Sequence, residues 1–314
     1  MLRTKIAQMY YYKLAFFPMS LRIVSWNVNG LRHAVDRQFL PFARELVGAA
    51  TAAGEGVVFG LQETKGSAAL CADSLSSLGA TPYTWGSPVT GWQYVANPCP
   101  HKTWYSGTLL LFHPGGLEEA LTVHGSPPTV HQETLEGEGR LQTVRIYVGD
   151  AGLTLVNTYC PNAGVGKPPL ARLPFRQQWD EALADHLSLL PRPLVWMGDC
   201  NVIADPAKDL WNGSKRRVAG NTKEEREGLA HIVSTNSLVD VYRESDPVGR
   251  EFTFYSLRSR GAREMGKGWR LDYLWVDQEL WASQPTLRVQ RYNVNDGEVV
   301  TSDHDPIGMA VGVL

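Results

Sequence analysis

The chain has 314 residues, of which 43% are hydrophobic, enough to bury a substantial core in one large domain or in two of ordinary size. Thirty Lys and Arg residues are balanced by 32 Asp and Glu, and the formal net charge of −2 excludes a protein that holds nucleic acid by bulk positive charge. Any such contact must come from a local basic face. No apolar run approaches the roughly 20 residues of a membrane span, so we expect no membrane partner.

The first 20 residues and the cysteines bear on the cellular compartment. Residues 1–20 carry three basic residues and no acidic one, a bias seen in organelle transit peptides. Their arginine and serine content is low, which favours a disordered extension ahead of a first strand at Leu21. The cysteines lack the paired spacing of a metal site, and we expect free thiols in a reducing, intracellular compartment at Cys71, Cys99, Cys160 and Cys200.

In chain order, short apolar runs bounded by turn residues predict eight strands. They are Leu21–Trp26, Val57–Leu61, Thr108–Phe112, Leu141–Val148, Leu153–Thr158, Leu194–Met197, Leu271–Val276 and Ile307–Val313. Apolar residues at three- and four-residue steps predict helices at Arg37–Ala53, Ala68–Leu78, Phe175–Leu190 and Thr222–Ser234. Thr222 and Glu225 form a predicted capping box at the start of the last helix. Mixed strands and helices without a repeat or long linker indicate one α/β domain over residues 21–314.

Four long segments rich in Gly, Pro and polar residues are predicted to be loops: Gly86–Trp104, Ser126–Gly139, Gly164–Pro174 and Lys208–Asn221. Loops on a rigid scaffold are where binding residues concentrate. The last of them contains three consecutive basic residues, 215–217, which are either a positive face for an anionic partner or an ordinary solvated turn.

Polar residues recur where the predicted strands end. Asn27 and Asn29 follow the first strand, Glu63 follows the second, and Asp199 and Asn201 follow the sixth. Each alone is typical of a turn or a helix cap. Together with the segment Ser-Asp-His-Asp-Pro at 302–306 they form a set of carboxylates and amides with one histidine, without a cysteine or histidine cluster. Such a set is typical of a site that binds a hard cation and a phosphate.

Seven ordered motifs resemble the exonuclease III / apurinic-apyrimidinic (AP) endonuclease family: SWNVNGLR (25–32), LQETK (61–65), NTYCPNAG (157–164), FRQQWDEAL (175–183), MGDCNV (197–202), GWRLDY (268–273) and SDHDP (302–306). Phosphatases and deoxyribonuclease I of the wider superfamily place a histidine where this chain has Tyr159, which favours the AP endonuclease branch. The resemblance implies a deoxyribonuclease I-like fold: an α/β, four-layer sandwich of two packed, mostly antiparallel or mixed β-sheets flanked by helices.

The resemblance also implies roles for the polar set. Glu63, Asp303 and Asn29 match metal-binding positions, for Mg²⁺ with Mn²⁺ as a substitute. Asp199 matches the residue that activates or orients the attacking water, while Asn201 and Asn27 match groups that hold Asp199 and the phosphate oxygens. His304 matches the imidazole beside the phosphate, Asp272 the carboxylate that orients it, and Tyr159 a hydroxyl on the phosphate or leaving group. Whether His304 or Asp199 is the general base stays open.

Substrate binding is implied by a third group of positions. Phe254, Trp269 and Leu271 match an apolar pocket for an extrahelical abasic sugar, although three large apolar residues would otherwise indicate plain core. Lys65 is expected to order the acidic cluster. Contacts with DNA phosphates are expected from Asn162, Arg140, Tyr105, Lys215, Arg216 and Arg217. The chain departs from a human relative at two groove-inserting positions, where it has Val165 and Arg258, and at Val218 in the basic loop.

The leading expectation is thus a Mg²⁺-dependent AP endonuclease of base excision repair that acts on double-stranded DNA with abasic sites or damaged 3′ ends. The alternatives are an enzyme dominated by 3′-end processing, a small-molecule phosphatase, and a catalytically dead DNA-binding protein. The last would require loss of an essential acid or histidine, and none is lost. A monomer is expected, in the nucleus or mitochondrion of a eukaryote or in the cytoplasm of a prokaryote.

Overall fold

A computed structural model of the protein describes residues 19–118, 120–125, 132–214, 216–294 and 300–313. The strands are β1 (Ser20–Asn27), β2 (Gly56–Gln62), β3 (Thr81–Pro82), β4 (Gln93–Asn97), β5 (Thr108–His113), β6 (Leu121–Gly125), β7 (Leu141–Val148), β8 (Ala151–Tyr159), β9 (Leu194–Asp199), β10 (Leu238–Asp240), β11 (Asp272–Asp277), β12 (Gln290–Arg291) and β13 (Ile307–Gly312). The helices are α1 (Leu31–Ala34), a π-helical turn (Val35–Phe39), α2 (Leu40–Ala53), α3 (Ala68–Leu75) with a 3₁₀ turn (Ser76–Leu78), α4 (Gln132–Glu136), α5 (Leu173–Ser188), α6 (Pro206–Asp209), α7 (Lys223–Thr235), α8 (Val241–Ser245) and α9 (Gln278–Ser283).

Within these ranges the strands form two mixed sheets. The first has the order β12-β13-β1-β2-β5-β4-β3 and the second the order β10-β11-β9-β8-β7-β6. The pairs β1/β2, β3/β4 and β8/β9 are parallel and the other neighbours are antiparallel. Helical crossovers connect the parallel pairs β1/β2 and β8/β9, and a two-residue turn connects the antiparallel strands β7 and β8.

The alternation of side chains across the strands builds three apolar layers. Ile23 of β1 packs between the two sheets with Leu155 of β8, in one continuous core. Val24, one residue on, faces the opposite way and packs with Phe39 beneath α2. Trp196 of β9 likewise faces outward to helix α5. The order is helix, sheet, sheet, helix, so the predicted four-layer sandwich is confirmed.

Some sequence expectations are corrected in detail. The predicted loop Gly86–Trp104 contains β4, and Ser126–Gly139 contains α4. The predicted loop Gly164–Pro174 ends early because Pro174 lies in the first turn of α5, where proline is tolerated. Ser20 already belongs to β1 and the Val313 amide donates to the Met19 carbonyl, so the extension predicted over 1–20 is too long by two residues. Residues 1–18 lie outside the described part.

Two other expectations are confirmed, the helix cap at Thr222 and the free cysteines. The Thr222 hydroxyl accepts from the Glu225 amide and the Glu225 carboxylate accepts from the Thr222 amide, so the capping box is confirmed. All four cysteines are buried free thiols. No helix in the described ranges is long and apolar enough to cross a membrane.

Candidate active site

Two of the parallel strand pairs, β1/β2 and β8/β9, bring polar strand ends to one edge between the sheets. Asn27 is in register with Gln62 at the carboxyl ends of β1 and β2, and Tyr159 is in register with Asp199 at the ends of β8 and β9. Asp272, the first residue of β11, pairs antiparallel with Asp199. A Cβ atom at Gly198, whose φ is 143°, would overlap the Thr158 carbonyl. Glycine at this position therefore lets β9 approach β8 closely enough to present Asp199.

The first cluster is a buried carboxylate–imidazole–carboxylate line. Nδ1 of His304 lies 2.8 Å from Oδ2 of Asp272, and its Nε2 lies 3.7 Å from Oδ2 of Asp199. Burial lowers the pKa of His304, but the negative charges of Asp272 and Asp199 outweigh it and raise the pKa to about 10. His304 is therefore a cation at neutral pH.

Asp199 is fixed from several sides. Its Oδ2 accepts from Nδ2 of Asn27 at 2.9 Å and its Oδ1 accepts from the Asn201 amide at 2.8 Å. Nδ2 of Asn201 donates to the Cys160 carbonyl at 2.9 Å, which ties this turn to the end of β8. Burial raises the pKa of Asp199 to about 7, and the nearby Asp272 adds to the shift although His304 opposes it. A carboxylate with such a pKa is a base matched to neutral pH.

The second cluster lies on the other side of Asn27. It is the oxygen group, made of Glu63, Asn29 and Asp303, whose side-chain oxygens could bind a cation. Nζ of Lys65 lies 2.7 Å from Oε2 of Glu63 and 2.5 Å from Oδ1 of Asn29, and Nδ2 of Asn29 donates to Oδ1 of Asp303 at 3.1 Å. Asn27 also donates to Oε1 of Glu63 at 3.0 Å. Burial raises the pKa of Glu63, but the Lys65 charge and the hydrogen bonds outweigh it, so the pKa is lowered. Glu63 is therefore an anion.

Two groups of residues could hold a metal ion. The ligand atoms of Asp199, Asp272 and His304 lie within 4.8 Å of one another. A protonated imidazole, however, offers no lone pair to a metal. Glu63, Asn29 and Asp303 offer only oxygen atoms as metal ligands, and the oxygens of Glu63 and Asn29 already accommodate the Lys65 ammonium. The oxygen group therefore fits a hard divalent cation better.

Tyr159 connects the oxygen group to the cleft wall. Its hydroxyl donates to Oε1 of Glu63 at 2.8 Å, and the Arg140 guanidinium lies 4.6 Å from the centre of its ring. Burial and the charge of Glu63 raise the pKa of Tyr159 well above its usual value, so it remains a neutral hydroxyl donor. Arg140 is only 2% exposed and donates to Glu138, to the Tyr159 carbonyl and to the Tyr105 hydroxyl. Its observed contacts thus position Tyr159 and Tyr105.

These clusters form the floor of a cleft of about 860 Å³. Phe254 pairs with both Trp269 and His304 through isolated bridges, and its ring centre lies 5.1 Å from that of His304. With Leu271, these two aromatic side chains make an apolar recess directly beside the imidazole. The predicted site residues that line the cleft are Asn29, Glu63, Tyr105, Arg140, Tyr159, Asn162, Asp199, Asn201, Arg217, Phe254, Trp269, Leu271, Asp303 and His304.

The residues of the predicted basic triplet do not all face this cleft. Arg217 lines it but also pairs with Glu224 at 2.5 Å, Arg216 lines a neighbouring cavity, and Lys215 lies outside the described residues. Val165 and Arg258, the residues at the two groove-inserting positions of the relative, lie on the cleft wall, and Val165 is 74% exposed.

Sequence reasoning missed three contributors. The Ser302 hydroxyl donates to the Asn27 carbonyl at 2.6 Å and accepts from the His304 amide at 3.0 Å, which fixes the histidine loop onto β1. Arg172 lines the cleft and, like Arg140, is bound by Glu138. Ser302 lies inside a recognised motif and could have been singled out. No motif marked Glu138 or Arg172, since their pairing spans 34 residues.

The fold and the two clusters define a phosphoesterase-type hydrolase site. Residues 24–304 match the Endonuclease/Exonuclease/phosphatase family. The DNA repair nuclease APEX1 of Danio rerio is 30% identical over 306 residues, covering 94% of this chain and 83% of the relative. An exodeoxyribonuclease of Bacillus subtilis is 28% identical over 298 residues, covering 93% of this chain and 100% of the relative. The crystal structure of AP endonuclease LMAP from Leishmania major has a TM-score of 0.72 and 27% identity, covering 94% of this chain and 88% of the Leishmania chain.

The chain therefore belongs to the endonuclease/exonuclease/phosphatase family, in the exonuclease III / AP endonuclease branch that its motifs indicated. The prediction of a hydrolytic nuclease is confirmed at the level of this family. The same matches confirm a deoxyribonuclease I-like fold.

Proposed function

We propose that this chain is a Mg²⁺-dependent AP endonuclease of base excision repair, which hydrolyses the DNA phosphodiester 5′ to an abasic site and leaves a 3′-hydroxyl and a 5′-deoxyribose phosphate. The observation that carries the proposal is the position of the apolar recess. Phe254, Trp269 and Leu271 lie beside His304, so a sugar without a base can enter the recess while its 5′ phosphate stays on the polar floor. The relatives named as DNA repair nuclease and AP endonuclease support it.

The directions of the pKa shifts support Asp199 as the general base and His304 as a cation beside the phosphate. Asp199 accepts a proton from the attacking water, since its raised pKa of about 7 makes it a moderately strong base that is still ionised at slightly alkaline pH. His304, kept cationic by Asp272 and Asp199, stabilises the negative charge that develops on the phosphoryl oxygens. Asn27 and Asn201 hold the Asp199 carboxylate in place. Tyr159, whose neutral hydroxyl donates to Glu63 in this structure, would turn that proton toward the phosphate or the leaving oxygen when DNA binds.

Glu63, Asp303 and Asn29 would hold the metal ion in this proposal. When bound, Mg²⁺, or Mn²⁺ in its place, would polarise a phosphoryl oxygen and offset its growing charge. Lys65 orders the donor oxygens through its contacts with Glu63 and Asn29. Two carboxylates and an amide match the preference of Mg²⁺ for few protein ligands with retained water.

The duplex on either side of the abasic site would be held by the polar cleft walls. Asn162 donates to Oδ1 of Asn201 at 3.2 Å and so links the wall to the catalytic turn. Phosphate contacts are proposed for Asn162, Tyr105, Arg140, Arg216, Arg217 and Lys215. For Arg140, burial favours a supporting contribution through Tyr105 and Tyr159 over a direct contact.

A gel assay tests the proposal with a duplex that contains one abasic-site analogue and a duplex with a recessed 3′ end, each with Mg²⁺ and with EDTA. Metal-dependent incision at the analogue is the expected result, and Asp199→Asn should abolish most of it. Digestion confined to the 3′ end would favour 3′–5′ exonuclease activity, the second candidate, which the full-length similarity to an exodeoxyribonuclease supports. Hydrolysis of inositol phosphates or phospholipids with no action on DNA would overturn both.

A further inference from the structure

A second cavity of about 250 Å³ adjoins the cleft. The two cavities share Val218 and Trp269 as walls. Trp269 is in turn bridged to Phe254, which touches His304. A DNA strand with one phosphate at His304 therefore has a short path past Trp269 into this second cavity, which we call the Trp211 pocket. Its lining is Leu210, Trp211, Asn212, Ser214, Arg216, Val218, Asn221 and Trp269.

Trp211 gives this pocket an exposed aromatic face. Its side chain is 40% exposed, and Nζ of Lys267 lies 5.4 Å from the ring centre. The backbone is fixed independently of the ring: the Trp211 amide donates to the Gly268 carbonyl at 3.1 Å, and the Trp211 carbonyl accepts from Arg250 at 2.9 Å. The Lys267 ammonium lies over one face of the ring, so a flat ligand could stack only on the other face.

Another part of the pocket rim is held in place by hydrogen bonds and carries a positive charge. Nδ2 of Asn221 donates to the carbonyls of Ser214 and Arg216, and Arg226 donates to Oδ1 of Asn221 at 2.8 Å. The Arg216 side chain is exposed and makes no hydrogen bond or ion pair with any residue that the structure describes. No Asp or Glu occurs among the described residues of the lining. The rim thus offers a guanidinium to an anion beside a flat aromatic ring.

We propose that the Trp211 pocket binds an unpaired nucleobase of the DNA strand that leaves the catalytic cleft, with the base stacked on Trp211 and the adjacent phosphate on Arg216. Stacking on an aromatic ring beside basic side chains is the usual physics of single-strand binding, and every base has a face that can use it. A paired base is already stacked on its neighbours and cannot enter. The proposal rests on the proposed function for its substrate, DNA, and it adds a preference for frayed or single-stranded flanks.

The test measures binding of two fluorescent oligonucleotides by anisotropy, in EDTA so that nothing is cleaved. One is an oligothymidylate, and the other has the same length and charge but carries tetrahydrofuran residues in place of every nucleotide's base and sugar. Trp211→Ala should weaken binding of the oligothymidylate about tenfold and leave the baseless strand nearly unchanged. Trp211→Phe should retain most of the affinity because it keeps a ring. Arg216→Gln should weaken both strands equally and lower the salt dependence.

Trp85→Ala is the matched control, because Trp85 is 49% exposed, makes an edge-to-face contact with Tyr83 and lies outside the lining of both cavities. It should bind both strands like the wild type. Equal affinity of Trp211→Ala and wild type for oligothymidylate would overturn the stacking site, as would an equal loss for the baseless strand. The proposed function is tested separately by incision of abasic duplex by the wild-type protein, so one can fail without the other.

Discussion

His304 lies between two buried carboxylates, with Nδ1 at 2.8 Å from Asp272 and Nε2 at 3.7 Å from Asp199. The two negative charges raise the pKa of the imidazole to about 10 in spite of its burial. The pKa of Asp199 is itself raised to about 7, mainly by burial. A neutral solution therefore contains the imidazolium beside a carboxyl group that is partly ionised.

Asp199→Asn should lower turnover by on the order of 10³-fold, because the amide keeps the shape of the carboxylate but cannot accept a proton from water. DNA binding in EDTA should change little, since the one remaining side-chain oxygen can still accept from the Asn201 backbone amide, although the hydrogen bond from Asn27 is lost. Single-turnover incision and anisotropy measure the two quantities. Asp150→Asn, the same change in an exposed turn, is the control. Weaker binding with wild-type turnover would remove Asp199 from the catalytic step.

The pH profile of kcat/KM should be bell-shaped. The rate should rise as Asp199 loses its proton near its pKa of about 7 and fall as His304 loses its proton near its pKa of about 10. These apparent values belong to the coupled set. Asp272→Asn removes the largest charge that favours the imidazolium, so the pKa of His304 should fall and the alkaline limb should move to lower pH. An alkali-stable abasic analogue makes the measurement feasible, and an unmoved alkaline limb in this variant would contradict the assignment.

The buried strands were predictable from the sequence because their apolar runs are continuous. Val57–Leu61 was predicted and β2 spans Gly56–Gln62. Strand β4 was missed, since its five residues, Gln93–Asn97, contain only two large apolar side chains and lie among Gly and Pro residues. It is a strand because β5 offers it an edge on which to pair, and that is a tertiary effect.

The candidate site was predictable where a motif carries it. Asp199, His304 and Asp272 were selected from three separate motifs, and the strand register brings them together. Arg140 was expected at the DNA surface, but it is 2% exposed with its donors engaged by other residues. A sequence pattern does not reveal burial at a loop residue whose partner is Glu138. The Trp211 pocket could not be predicted from the sequence either, because Trp269 joins the lining residues of segment 210–221 only in the folded chain.

Glu63→Gln should raise the Mg²⁺ concentration needed for half-maximal incision by at least about tenfold, because it removes one of the two carboxylates proposed for the metal while it keeps the side-chain shape. The maximal rate at saturating Mg²⁺ should fall less than the apparent affinity for the metal. Glu227→Gln, at a 62% exposed position on α7, is the control. A Mg²⁺ titration that superimposes on the wild type would exclude Glu63 as a ligand.

Arg176 and Asp180 form a buried pair beneath the active-site turns. Nε of Arg176 lies 2.8 Å from both Asp180 oxygens, and its Nη1 donates to the carbonyls of Pro161 and Cys200 at 3.0 and 2.9 Å. These carbonyls belong to the segments that follow β8 and β9. Arg176 therefore clamps the two turns that present Asn162 and Asn201.

Asp180→Leu should lower the free energy of unfolding by about 3–5 kcal/mol, because it leaves the Arg176 charge buried without its partner. The double variant Arg176→Met/Asp180→Leu should regain most of that stability, since a well-packed apolar pair can replace a buried ion pair. It should nevertheless incise DNA more slowly than the wild type, because the carbonyls of Pro161 and Cys200 have lost their donor. Urea unfolding followed by tryptophan fluorescence measures stability, and the abasic-duplex assay measures activity. A double variant with wild-type activity would show that the clamp is structural only, whereas a single variant of unchanged stability would mean that the pair is not buried in solution.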